Sequence, residues 1–175
     1  YSNNAKGALL LENQSTNLVT YSQDYSQWSF GGDSNANNMT RVDGQSSPNG
    51  ETNSCLFTRN IGTSGFFGYG NSSVVLNNTY TYSIFLKKET SSTLEINNVS
   101  NNPQSKATYN IDTNSFTGIQ NATAKSISYL NGWYRVSITF THSNTSSNSV
   151  QFRNYLESGK SMYVFGAQLE ENSFS

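Results

Sequence analysis

The chain has 175 residues, 34% of them hydrophobic and 13% aromatic, with 12% charged and a formal net charge of −1. That length suits one domain around one core, and a surface of Asn, Ser, Thr and Gly without any run of Lys or Arg excludes the electrostatic footprint of a nucleic-acid or anionic-membrane binder. A single cysteine, Cys55, excludes an intrachain disulfide and a multi-cysteine metal site, and no apolar stretch is long enough for membrane insertion.

The opening YSNNAKGALLLEN has neither an initiator Met nor a signal-peptide pattern, so residues 1–175 read as one module of a longer protein. No helical apolar period is sustained, whereas alternation with period two recurs. In chain order, Ser54 to Arg59 and Ser72 to Leu76 form weak strand patterns. Between them GTSGFFGYGNSS, residues 62–73, reads as a glycine-rich loop presenting Phe66, Phe67 and Tyr69. Tyr80 to Lys87 puts Tyr82, Ile84 and Leu86 inward and Ser83, Phe85 and Lys87 outward. Thr93 to Val99 is a further strand. Tyr134 to Thr141 is the clearest, with Tyr134, Val136, Ile138 and Phe140 expected in the core and Arg135 and Thr139 outside it. Val150 to Leu156 sets Val150, Phe152 and Leu156 inward and Gln151, Arg153 and Tyr155 outward, and Ser161 to Leu169 closes the series. Turn-forming clusters such as SSPNGETN, NNPQS, LNGWY and SNTSSNS separate the runs. Strands at this spacing without crossover helices mean an all-β, antiparallel β-sandwich. Trp28 and Trp133, each opening a patterned strand, are assigned to the core. His142, at a strand end, reads as exposed.

The motifs of nucleophilic, zinc and nucleotide chemistry are absent from the chain. A glycosidase needs two facing carboxylates, and most of the acids here fall in turns or at strand ends. Sugar binding asks for flat rings and planar polar groups, both abundant. Phe85, Lys87, Arg153 and Tyr155 stand in outward phase and would share one carbohydrate-binding surface. Asn154 adds directional hydrogen bonds to it, and Phe66 and Tyr69 join from the loop.

The segments LLLENQSTNLVTYSQDYSQWSF, YTYSIFLKK, NGWYRVSITFT and YVFGAQLEENSFS resemble, from Leu9 to Ser175, a family found in phage tail-fibre and tail-spike proteins and in accessory regions of marine polysaccharide-degrading enzymes. More distantly, Asn17, Leu18, Asp24, Tyr25 and Trp28 are similar to the N-terminal pattern of jelly-roll carbohydrate-binding modules. The resemblance implies a jelly roll with a glycan-binding face, and a structural calcium ion near the meeting point of the first and last strands. Asp24 and Gln168 are its expected ligands. Gln168 stands where those modules carry an acid, so fewer charges would hold the cation.

The expected function is that of a non-catalytic module binding a polysaccharide or surface glycan, extracellular or on a virion surface. Its structural-class alternative is a spacer or oligomerisation domain of a phage fibre, one protomer of a homo-oligomer without its own ligand. A small glycan hydrolase or lyase is the third reading.

Overall fold

The computed structural model describes residues 16–31, 38–62, 65–70 and 73–171. Among them are twelve strands: β1 (Ser29–Gly31), β2 (Met39–Gln45), β3 (Ser54–Arg59), β4 (Phe66–Gly70), β5 (Thr79–Lys88), β6 (Thr93–Asn98), β7 (Ser105–Asn110), β8 (Ser115–Gln120), β9 (Thr123–Ser128), β10 (Trp133–Thr141), β11 (Gln151–Leu156) and β12 (Ser161–Glu171). They form two six-stranded sheets, a first in the order β1-β4-β11-β6-β7-β8 and a second in the order β2-β3-β12-β5-β10-β9. Adjacent strands run antiparallel in both. The chain crosses repeatedly from one sheet to the other, giving a β-sandwich jelly roll.

Period-two alternation decides what enters the space between the sheets. Tyr82, Ile84 and Leu86 of β5 meet Phe152 and Leu156 of β11 there, all buried. Two ring stacks bridge the sheets, Tyr82 on Phe152 at 3.9 Å and Phe57 on Phe67 at 4.3 Å. Burying one such side chain contributes about 1.5–3 kcal/mol, so these rings offset the modest total of apolar residues. On β10, Val136, Ile138 and Phe140 are buried as the alternation requires, and Arg135 and Thr139 are not. Tyr134 is only half-buried: its partner on edge strand β9 is the small Ser128, which leaves one flank of the ring uncovered.

Several expectations give way to the structure. Residues 66–70 are not a loop but β4, paired on both sides by β1 and β11. Residues 73–76 form no strand. Val74 is a single buried plug whose amide donates to the Asn148 carbonyl. His142 is buried, its Nε2 held 2.9 Å from the Ser147 carbonyl across the turn. Trp133 is buried, yet it stands in outward phase opposite Lys87 and lies outside the inter-sheet core; Trp28 is in the core.

Strand β12 carries a bulge. Phe165 opposes Phe85 and Gln168 opposes Ser83, so Gly166 and Ala167 share the place of one residue. Gly166 takes a φ of +57°, which glycine adopts without steric cost. The inserted residue resets the alternation so that Ala167 and Leu169 point inward and Gln168 outward.

Candidate functional site

On the first sheet, the outward positions of five adjacent strands form two parallel rows. One row runs Gly31, Phe66, Tyr155, Glu95 and Thr108 across β1, β4, β11, β6 and β7; the other runs Ser29, Gly68, Arg153, Asn97 and Lys106. β4 supplies glycine where its neighbours supply side chains, so Arg153 can lie across the sheet. Its guanidinium carbon sits 4.7 Å from the centre of the Phe66 ring. Phe66 in turn meets Tyr155 at 5.6 Å, the two rings inclined at 57°. Gly31 gives the Phe66 ring its seat, since a Cβ there would lie 2.3 Å from Phe66 Cζ.

Two polar atoms at the centre of this cluster are buried without a hydrogen-bond partner: Arg153 Nε and, directly across the strand boundary, Asn97 Oδ1. The Asn97 amide nitrogen is used, donating to Glu95 at 3.3 Å and Gln104 at 3.1 Å. Arg153 has one weak bond, Nη2 to Gln151 Oε1 at 3.4 Å. These unpartnered atoms belong to residues paired across β11 and β6 and flanked by half-exposed rings, and a modest shift of the two side chains would present them to a ligand with adjacent hydroxyls.

The expected binding surface is therefore divided by the fold. Phe66, Arg153 and Tyr155 come together, but Phe85 and Lys87 belong to the second sheet, whose outer face lies on the opposite side of the core. Asn154 points inward, fully buried, with its amide donating to the Phe67 carbonyl at 3.2 Å and to the Tyr82 hydroxyl at 3.5 Å, so it cannot meet a ligand on the outer face. Tyr69 alternates inward from Phe66 and packs on Trp28 at 5.6 Å, only 7% exposed. Asn97, Glu95 and Lys106 were passed over in the sequence. The outward phase of TLEINNV contains the first two.

The outer face of the second sheet differs in character. Phe85 is ringed by Tyr129 at 5.5 Å, Phe165 at 6.0 Å and the Arg135 guanidinium at 5.8 Å. Arg135 is satisfied from within, bonding Ser83 Oγ at 3.0 Å and Gln168 Oε1 at 2.5 Å. Lys87 lies between Trp133 and Tyr163. Val42, Ile127, Tyr129 and Leu130 are exposed on this side or on its adjoining turn.

The two residues expected to ligate a calcium ion at the junction of the N-terminal segment and β12 both make hydrogen bonds within the protein. Gln168 Oε1 is held by a guanidinium, and Asp24 Oδ1 caps the turn at Tyr25–Gln27 by accepting from the Ser26 amide and hydroxyl, bonds that hold its carboxyl below the usual range. Asn17 closes the junction itself: its Oδ1 accepts from the Val19 and Leu169 amides and its Nδ2 donates to the Ala167 carbonyl. Among the described residues no cluster of three His, Cys, Asp or Glu side chains is positioned to hold a metal.

No family model and no curated protein matches the chain. Solved structures do. The enzymatically active domain of tailspike protein 4 from bacteriophage CBA120 superposes with a TM-score of 0.61 at 12% identity, over 89% of this chain and 21% of that one. The chain thus spans about a fifth of the tailspike chain. TmCBM61, solved in complex with β-1,4-galactotriose, gives 0.56 at 10% identity, over 90% of this chain and 99% of that one. The CBM22-1–GH10 modules of Clostridium thermocellum xylanase 10B, complexed with xylohexaose, give 0.53 at 14% identity, over 93% and 30%. The chain has the β-sandwich jelly-roll fold that these carbohydrate-binding modules and the tailspike domain share.

Proposed function

We propose that the chain is a non-catalytic module that binds a polysaccharide across the outer face of its first sheet. The observation that carries this reading is the cluster of Phe66, Arg153 and Tyr155 beside Asn97, in which ring surface adjoins a buried donor and a buried acceptor that the protein leaves unpaired. The fold supports it, since relatives of the same architecture are solved with oligosaccharides bound. Rings stack on the apolar faces of sugars, and guanidinium and amide groups bridge neighbouring hydroxyls. Glu95 is the one carboxylate in outward phase on the strands of this face, whereas hydrolysis by acid and base or nucleophile needs two. A glycan partner places the module outside the cell or on a virion surface. No helix among the described residues is long and apolar enough to cross a membrane.

The test is affinity electrophoresis through gels containing neutral and acidic polysaccharides. One or more should retard the protein, and Tyr155→Ala and Phe66→Ala should each weaken retention by about tenfold with circular dichroism unchanged. Retention that survives both changes would place the site elsewhere.

The exposed apolar side chains Val42, Ile127, Tyr129 and Leu130 favour a second reading, in which the other sheet packs against a further copy of the chain in a fibre. Light scattering across a concentration series distinguishes this from a monomer.

A further inference from the structure

The chain has four arginines, all on strands, and three are held by strong acceptors within the protein. Arg41 pairs with Asp43 at 2.9 Å, Arg59 donates to the Leu156 carbonyl at 2.7 Å, and Arg135 binds Ser83 and Gln168. Arg153 has only its 3.4 Å contact with Gln151 and takes part in none of the ion pairs among the described residues. Its Nε is buried and unpaired, and its guanidinium carbon lies over the Phe66 ring. Such a group is costly to leave uncompensated, and its fork of donors matches a pair of oxygens on one anionic group.

The surrounding charge has the same sign. In the row Arg153, Asn97, Lys106, an amide with an unpaired oxygen lies between two cations on neighbouring strands. Glu95, the single acid in these rows, lies 3.9 Å from Lys106 and so offsets one cation, leaving the face with a surplus positive charge on a chain whose net charge is −1. A neutral sugar would satisfy Asn97 but leave the guanidinium without a counter-charge.

Resting on the glycan reading above, we infer that the polysaccharide recognised by this face bears an acidic substituent, a uronate carboxylate or a sulfate ester, that pairs with Arg153 while the attached ring packs on Phe66 and Tyr155. With the two side chains shifted to uncover their buried atoms, the carboxylate or sulfate oxygens accept from Nε and Nη, and a neighbouring hydroxyl donates to Asn97 Oδ1.

The experiment uses paired gels: polygalacturonate against its carboxyl-reduced galactan, and dextran sulfate against dextran. At least one acidic polymer should retain the protein about tenfold more strongly than its neutral partner, with the preference falling as ionic strength is raised to about 0.5 M. Whichever pair shows the difference identifies the substituent. Arg153→Gln should abolish the preference, Arg153→Lys should keep only part of it because the fork is lost, and Lys125→Gln on the other sheet should leave it intact. Equal retention on acidic and neutral polymers, or a preference that persists in Arg153→Gln, would overturn the inference. If in that case Tyr155→Ala still abolishes retention, the glycan reading stands and only the acidic specificity is lost. Failure of every polymer to retain the protein would overturn both.

Discussion

Gly31 and Gly68 shape the ring cluster by what they lack. A methyl at Gly31 would press on the far end of the Phe66 ring, which can tilt, so Gly31→Ala is expected to weaken polysaccharide retention several-fold while leaving the melting temperature near that of the parent. At Gly68 the added carbon would meet the Phe152 carbonyl oxygen at 2.3 Å, which is backbone and cannot step aside. Gly68→Ala should therefore cost about 1–3 kcal/mol in denaturant unfolding. Together the two variants separate the ligand-facing role of a glycine from its packing role. Buried tyrosines add a spectroscopic check: burial pushes the Tyr109 hydroxyl up to about 12, so it should ionise only at the end of an alkaline titration.

Between elements, two small polar latches carry much of the order. Asn17 fastens the N-terminal segment to β12 with two hydrogen bonds and holds the Val19 amide with a third, and Asn17→Ala should lower stability by roughly 1–3 kcal/mol, since it strands backbone groups of a part-buried junction. Because Asn17 and Arg135 already satisfy the oxygens there, EDTA is expected to leave the melting temperature unchanged. A fall of several degrees would show that a cation secures this junction. The second latch is Asp112, which accepts from Lys88 at 2.7 Å and from the Ser92 hydroxyl at 2.7 Å, tying the end of β5 to the turn after β7. Lys88 first, then Ser92, lowers the pKa of Asp112. A carboxyl with a depressed folded-state pKa adds stability that is present above its unfolded value, about 3.9, and is lost as pH falls through the folded one. The difference in melting temperature between the parent and Asp112→Asn should accordingly be visible at neutral pH and vanish in acid.

For the molecule as a whole, a site lying open on a sheet face exchanges water hydrogen bonds for sugar ones at small net gain, so a dissociation constant of roughly micromolar to millimolar is expected for one module. Retention should rise steeply when copies are joined in tandem, through effective concentration, and a linked dimer that binds no better than the monomer would argue against a shared polymer. The sequence by itself determined the sandwich class, the phase of β5, β10 and β11, and the outward position of Arg153 and Tyr155, because burial on one face of a strand imposes period two on its residues. It left β1, β2, β7, β8 and β9 unread: β1 is only three residues long, and the others turn mostly small or polar residues inward, such as Ser105 and Ala107 of β7 and Ala124 of β9, so no apolar alternation marks them. It misjudged Phe66 and Tyr69 as loop residues because glycines that thin a sheet surface look the same in sequence as glycines that turn a chain. Only the tertiary structure decided that Phe85 and Lys87 stand back to back with Arg153 and Tyr155: alternation fixes which side of its own strand a residue occupies, while the sheet each strand joins is set by pairings between residues far apart in the chain.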